Sequence, residues 1–394
     1  MDKTSLQIEG FDWYQGVPAA PATRAGDLLF VSGQMSVDAQ RRVLNPGDVR
    51  AQATRAFDSL QIVLEAAGGS LDDVVDLISF HTDIRSVDTV FDVARGYLSS
   101  DYPAWTPLGM TGTYAPGIEL SIRAIAHLGD GPKECFTPDS LAWMRELPLS
   151  AACRRGEHVF VSGQIGSTPS GEIDSPGEPG TQAFLAYDHV RTALEAAGGK
   201  MSDVLDICSF HLDPRGMIPC EKGHMVTWGD TPIPNAPAWT AIGMPALYRP
   251  GALAQYRIIA DLSPGERIAK TPASIHWKNT PNSGGSRKEQ GMLIGMAGEV
   301  ASDGEGNVTT PGDTLSQARY VFSRLREVVE MHGSSMDKIV EVTSFHKDHR
   351  AWEIVMEAGR EFFDPDSPPA WTPVGATGLW NPGYLHEIHA LAVV

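Results

Sequence analysis

Long apolar runs are missing from this sequence. No segment approaches the roughly 18 to 20 consecutive apolar residues of a membrane helix, so no membrane span is expected. The opening MDKTSLQIEGFDW lacks the charged-then-apolar layout of a secretory leader. Cysteine is scarce: Cys135, Cys153, Cys208 and Cys220 form no CxxC pair, which argues against a disulfide scaffold and for free thiols in a cytoplasmic protein. Positive charge is short as well. The 31 Lys+Arg against 49 Asp+Glu leave a net charge of −18, the wrong sign for coating nucleic acid or an anionic membrane. No GxSxG elbow, Walker loop, GxGxxG or HExxH is present, and Gly284-Gly285-Ser286 reads as a turn, since no GK[ST] follows it.

What the sequence has in quantity is turn residues, with 40 Gly and 28 Pro in 394 residues. That abundance prompts a search for internal repeats, and three copies of one unit emerge. Apolar runs end in Ser32-Gly33-Gln34, Ser162-Gly163-Gln164 and Ala297-Gly298-Glu299. In every copy a histidine follows the first of those residues by 49 positions: His81, His211 and His346, each within S-F-H-x-D-x-R. Pro-Ala-Trp-Thr segments come next, carrying Trp105, Trp239 and Trp371 before Thr106, Thr240 and Thr372. An aromatic-x-Pro-Gly turn (Tyr114, Tyr248, Trp380) and a final apolar run close each copy. The polar, Pro/Gly-rich joins near 130 and 264 set units at 1–130, 131–264 and 265–394.

Each unit reads as strand, strand, helix, strand, helix, strand, strand. The first helix shows Phe57, Leu60 and Leu64 at helical spacing before Gly68-Gly69, with counterparts before Gly198 and Gly333. A second helix is expected around 87–98 and 351–363. In the middle copy Gly216, Pro219 and Gly223 predict that it is degraded. This is an α+β unit with helices on one face of a mixed sheet, and the bare face must be buried. Three units joined by short linkers achieve this by packing around a pseudo-threefold axis, with ligand clefts between neighbours.

The SGQ strand, the LEAAGG helix end, the Pro-Ala-aromatic-Thr segment and the closing AIA strand resemble the Rid family (reactive intermediate deaminase, YjgF-like, also called endoribonuclease L-PSP-like). The third copy, with AGE and VEMHGS, matches less closely. The resemblance implies chorismate-mutase-like units assembled into a pseudo-trimeric barrel with helices outside, here within one chain that serves as its own trimer. It further implies hydrolysis of small enamines and imines without metal or organic cofactor. The family's substrate-gripping arginine falls on Trp105, Trp239 and Trp371. Its last-strand glutamate falls on Ser121, Gln255 and Glu387, and its tyrosine on Ala19, Leu149 and Gly284, so only Glu387 is retained.

The recurring residues each carry two readings. The tryptophans either stack a flat ligand, together with Tyr114, Tyr248 and Trp380, or fill the core. His81, His211 and His346 either do acid–base work, oriented by the following Asp, or are hydrogen-bonded structural groups. Three histidines near an axis would also suit a metal, but their spacing does not support one and none is expected. Arg85, Arg215 and Arg350 read as surface partners of Asp83, Asp213 and Asp348. Gly33, Gly163 and Gly298 allow close backbone approach, where an N–H or the threonines could hold a polarised group. Glu299 and Glu387 make the third copy chemically distinct.

The expected activity is a hydrolase, deaminase or tautomerase acting on a small imine, enamine or related unsaturated nitrogen compound. A histidine or Glu387 would activate water. The alternative is a non-catalytic binding module with Trp-lined clefts. An endoribonuclease ranks last, because RNA would meet an acidic surface without a basic stripe.

Overall fold

A computed structural model describes residues 1–228, 235–275 and 282–394. The first unit contains β1 (Lys3–Ser5), β2 (Ala22–Ala25), β3 (Leu28–Gln34), α1 (Val49–Ala66), β4 (Val74–His81), α2 (Val87–Ala94), β5 (Ala104–Gly109) and β6 (Leu120–His127). The second repeats the order with β7 (Glu134–Phe136), β8 (Ala152–Arg155), β9 (His158–Gln164), α3 (Pro179–Ala196), β10 (Val204–His211), α4 (Met217–Trp228), β11 (Ala238–Gly243) and β12 (Ala254–Asp261). The third has β13 (Arg267–Lys270), β14 (Gly285–Lys288), β15 (Leu293–Glu299), α5 (Thr314–Met331), β16 (Ile339–His346), α6 (Trp352–Gly359), β17 (Ala370–Gly375) and β18 (His386–Val393). Each unit is one six-stranded sheet of identical topology, β1-β2-β3-β6-β4-β5 in the first. The β4–β5 pair and its two counterparts are parallel and the other ladders antiparallel. The short lead-in strands β1, β7 and β13 are additions to the order read from sequence.

The local physics follows the sequence pattern. Asp48 caps α1 by accepting from Ala51 N at 3.0 Å, and Asp313 caps α5 in the same way. Gly68, Gly198 and Gly333 stop the long helices with φ of 83°, 83° and 76°, a region costly for other residues. Strands β3, β4 and β6 are buried along their whole length, because helices cover one face and other sheets the second.

The expected degradation of the middle unit's second helix is corrected. Helix α4 spans 12 residues, against eight in α2 and in α6. Gly216 precedes it, and Pro219 lies in its first turn, where no intrahelical donor is lost. Gly223 lets it close onto α3, since a Cβ there would sit 3.1 Å from that of Ala183.

The three sheets turn their open faces to one another. One apolar cluster (Phe80, Phe210, Phe345 and neighbours) and a second (Phe30, Phe160, Leu293 and neighbours) each draw residues from all three units. The sheets stay separate. Single parallel bridges, Ala104 to Ser150, Ala238 to Ser283 and Ala370 to Ala20, link each unit to the next and the third back to the first.

Buried charges also run between the units. Arg123 grips Glu341 through Nε and Nη2, both at 2.5 Å, and reaches Asp76 at 3.3 Å. Arg257 binds Asp76 at 2.6 Å and lies 3.8 Å from Asp206, which pairs with His389 at 2.9 Å. The acids occupy one repeat position (Asp76, Asp206, Glu341) and the bases another (Arg123, Arg257, His389), so the repeat builds an alternating chain of charges. Among the described residues, no helix is long and apolar enough to cross a membrane.

Candidate functional site

At each seam, the SGQ-type strand of one unit meets the Trp-Thr strand of the unit before it. Thr372 Oγ1 accepts from Gly33 N at 2.9 Å, Thr106 Oγ1 from Gly163 N at 2.9 Å, and Thr240 Oγ1 from Gly298 N at 2.8 Å. Only glycine fits there, because a Cβ would lie 2.7–2.8 Å from the threonine methyl. The preceding serine fastens the seam again: Trp371 N donates to Ser32 Oγ at 2.8 Å and Trp105 N to Ser162 Oγ at 2.9 Å. The third copy has Ala297 instead, and Asn282 Oδ1 accepts from Trp239 N at 2.9 Å. The glycine N–H expected to hold a polarised group is therefore engaged by threonine. The threonine oxygen accepts that bond and keeps its own O–H to donate.

Beside each glycine stands the last-strand residue of the same unit. In the first cleft this is Ser121, whose buried hydroxyl has no partner among the described residues. In the second, Gln255 folds back and donates to Gly163 O at 3.2 Å. In the third it is Glu387, which lies against Gly298 and near the Ala241 N–H of the second unit. Burial raises the Glu387 carboxyl from 4.5 to about 8. Glu299 is also buried, and Oε1 has no partner among the described residues. Desolvation pushes it well above the usual range, Arg324 opposes the shift, and repulsion from Glu387 adds to it. Two neighbouring buried acids, both raised above the usual carboxyl range, are found together only at this seam among the described residues.

The histidines are placed differently from the acid–base reading. His81, His211 and His346 are buried on the helix side, with Nε2 2.8, 2.9 and 2.8 Å from the Oγ of Ser79, Ser209 and Ser344. Desolvation lowers all three to about 3, so they are neutral imidazoles. Asp83, Asp213 and Asp348 do not orient them; these carboxylates pair at the surface with Arg85, Arg215 and Arg350 at 2.7, 2.6 and 2.7 Å. Among the described residues the three histidines do not form a shared ligand group. Among the described residues, the one group placed to share a metal is Asp206, Cys208 and His389, inside the charge chain.

The tryptophans also turn away from the clefts. Trp105, Trp239 and Trp371 are buried in their own helix layers, and each indole Nε1 donates to the same serine that meets the histidine, at 2.8, 2.8 and 2.9 Å. Phe91 lies edge-on to Trp105 at 5.0 Å, His224 stacks on Trp239 at 4.0 Å, and Phe363 meets Trp371 at 5.9 Å. Protein occupies the surface that the Trp-lined cleft would have offered to a ligand. Tyr114 packs between Trp13 and Trp352, and Tyr248 between Trp143 and Phe91, whereas Trp380 is 46% exposed.

The Endoribonuclease L-PSP profile matches residues 18–128, 142–261 and 285–394. The chain belongs to the Endoribonuclease L-PSP family. This is the Rid, or YjgF-like, family indicated by the repeated motifs. The RutC family protein YjgH of Escherichia coli strain K12 is 38% identical over 109 residues, 27% of this chain and 80% of that protein. A Mycobacterium tuberculosis structure from the YjgF/YER057c/UK114 family is 27% identical, covering 32% of this chain and 99% of its own, with a TM-score of 0.28. A chorismatase crystal structure aligns over 82% of this chain and 93% of its own, with a TM-score of 0.54 and 12% identity, a likeness of fold alone.

This Endoribonuclease L-PSP chain thus combines three family units with one acid-bearing seam. Residues around the clefts that the motifs did not reveal include Arg324, Asn282 and Tyr14. Arg324 had a legible signal: it is a cation in the buried stripe of α5, between Val321 and Val328. Tyr14 is a buried tyrosine away from the position, Ala19, where the resemblance places the family's tyrosine. It comes from a turn upstream of Ala19 and is buried beside Ser32 and Gln34.

Proposed function

We propose that this protein is a cytoplasmic hydrolase or deaminase of a small neutral imine or enamine, working at the seam between β15 and β11. The carrying observation is the Glu387 carboxyl, buried against Gly298 and raised to about 8. A carboxylic acid still protonated near neutral pH is suited to general acid catalysis. In the proposed reaction Glu387 protonates the imine nitrogen, and water attacks the resulting iminium carbon. The Glu387 carboxylate takes a proton from that water. The carbinolamine then expels ammonia, giving the carbonyl product, so imine plus water balances carbonyl plus ammonia. The Thr240 O–H donates to the reacting group while its oxygen stays tied to Gly298 N–H. Glu299 places a second buried carboxyl, pushed well above its usual range, beside Glu387.

The ionisable groups flanking Gly298 at the seam are the acids Glu299 and Glu387, with the nearby Arg324 cation bound to Tyr320 and 3.1 Å from Glu327, which favours a substrate without a carboxylate. The net charge of −18 supports a small-molecule substrate over RNA, and the intrachain seams support action as a monomer. The test couples an amino-acid oxidase to semicarbazide trapping and measures how far the protein suppresses semicarbazone formation. Glu387→Gln should abolish suppression, while His81→Ala should keep it wherever the variant folds. Full activity in Glu387→Gln would overturn the reading.

A further inference from the structure

Cys135 and Cys153 are neighbours by strand register as well as by distance. Strand β7 pairs antiparallel with β8, with Cys135 directly opposite Cys153, and the two sulfurs lie 3.3 Å apart. Cys135 is partly exposed, whereas Cys153 is fully buried. Strand β7 lies in the join between the first and second units, and β8 leaves Ser150, which bridges to Ala104 across their seam.

The repeat supplies an internal comparison. At the same register, the first unit places Ser5 opposite Thr23 and the third places Ala269 opposite Ser286. Neither pair can cross-link. The middle unit alone sets two thiols at this position, and they are free in the structure.

We propose that Cys135 and Cys153 form an oxidisable dithiol, a modification site that closes to a cross-strand disulfide under peroxide and ties the inter-unit join to the second sheet. Cys135 is the first thiol to react, being the accessible one. Its hydrogen bond with Cys153 and the nearby Lys133 also favour its thiolate. The Cys135 thiolate attacks one oxygen of hydrogen peroxide, the O–O bond breaks, and a sulfenic acid forms with release of hydroxide. The Cys153 sulfur, losing its proton, then attacks the sulfenic sulfur and displaces the hydroxyl as water. Two thiols and one peroxide give one disulfide and two waters.

The experiment treats the full chain with graded hydrogen peroxide, quenches it, and alkylates after unfolding. The expected result is joint loss of two alkylatable thiols, a mass decrease of two hydrogens, a Cys135–Cys153 linked peptide, and full reversal by dithiothreitol. Cys208 and Cys220 should remain alkylatable. Closing an 18-residue separation should also raise the melting temperature by roughly 5 °C, an increase that reductant removes. In Cys153→Ser, dimedone should trap a sulfenic acid on Cys135, and in Cys135→Ser peroxide should leave Cys153 reduced. Conversion of Cys135 to the sulfonic acid without the linked peptide, or linkage to Cys208 or Cys220 instead, would overturn the proposal.

Discussion

Arg257 Nη2 lies 2.6 Å from Asp76 Oδ2, although 181 residues separate them in the chain. The contact joins the second unit to the first in a core where both side chains are almost entirely buried. Such a pair does little for net stability against an apolar replacement, but removing one partner leaves a buried charge uncompensated. Arg257→Ala strips the nearer cation from Asp76, which keeps Arg123 at 3.3 Å, and leaves Asp206 with His389 alone. It should cost about 3–5 kcal/mol, read as a lower urea midpoint, while Arg257→Met with Asp76→Leu should recover much of that loss.

His389 replaces arginine in the third copy, which makes that link titratable. Asp206 at 2.9 Å holds the imidazole well above its ordinary 6.5 despite desolvation. A raised folded value means that this contribution is fully present below about pH 6.5 and is lost as pH rises through the folded value. The melting temperature should therefore fall on the alkaline side of neutrality. His389→Gln should flatten that slope, and an unchanged slope would assign it elsewhere.

His81, His211 and His346 give the opposite slope at acid pH. Each is lowered to about 3 by burial, so the unfolded chain takes up protons below 6.5 that the folded chain refuses. Stability should fall steadily from about pH 6.5 toward 3. Separately, Ser79→Ala removes the shared partner of His81 Nε2 and Trp105 Nε1 and should cost about 1–3 kcal/mol in denaturant unfolding.

If Glu387 acts as the acid, activity should decline as pH rises through about 8, where the carboxyl ionises. Glu387→Gln should lower the rate by about 10²-fold or more. It should also gain stability relative to the parent as pH rises from about 4.5 to 8, because over that range the folded parent keeps a proton that its unfolded chain releases. Gly298→Ala, which sets a methyl against Glu387 and the Thr240 methyl, should lower activity as well.

An arginine placed where the sequence resemblance expects one should not create a carboxylate-binding site. In Trp371→Arg a guanidinium would enter a pocket formed by Phe322, Phe363 and Gly359. The expected result is a loss of about 3 kcal/mol or more, with no gain in hydrolysis of carboxylate-bearing imines. A folded variant with that activity would show the position to face the cleft.

Much of the fold was legible because repetition acts as an internal control. Three copies of one apolar pattern, with His at one interval and Gly at one stop, fix the unit, its helices and its facing sheet. The middle unit's second helix is not legible, because local propensity penalises Pro219 and Gly223, while their cost depends on position in the helix and on what packs beside them. At the site, sequence could pick out Glu387 and Gly298 as unusual, and it could leave each tryptophan two roles.

By itself the sequence determined three similar α+β units, their family and the chemical inequality of the third. Tertiary structure decided which way side chains face across the seams. It turned the tryptophans and histidines into the helix layer, gave the glycine N–H groups to threonines of the neighbouring unit, and enclosed Glu299 and Glu387 away from water. Those outcomes depend on contacts between residues hundreds of positions apart, and on desolvation, which no local pattern encodes.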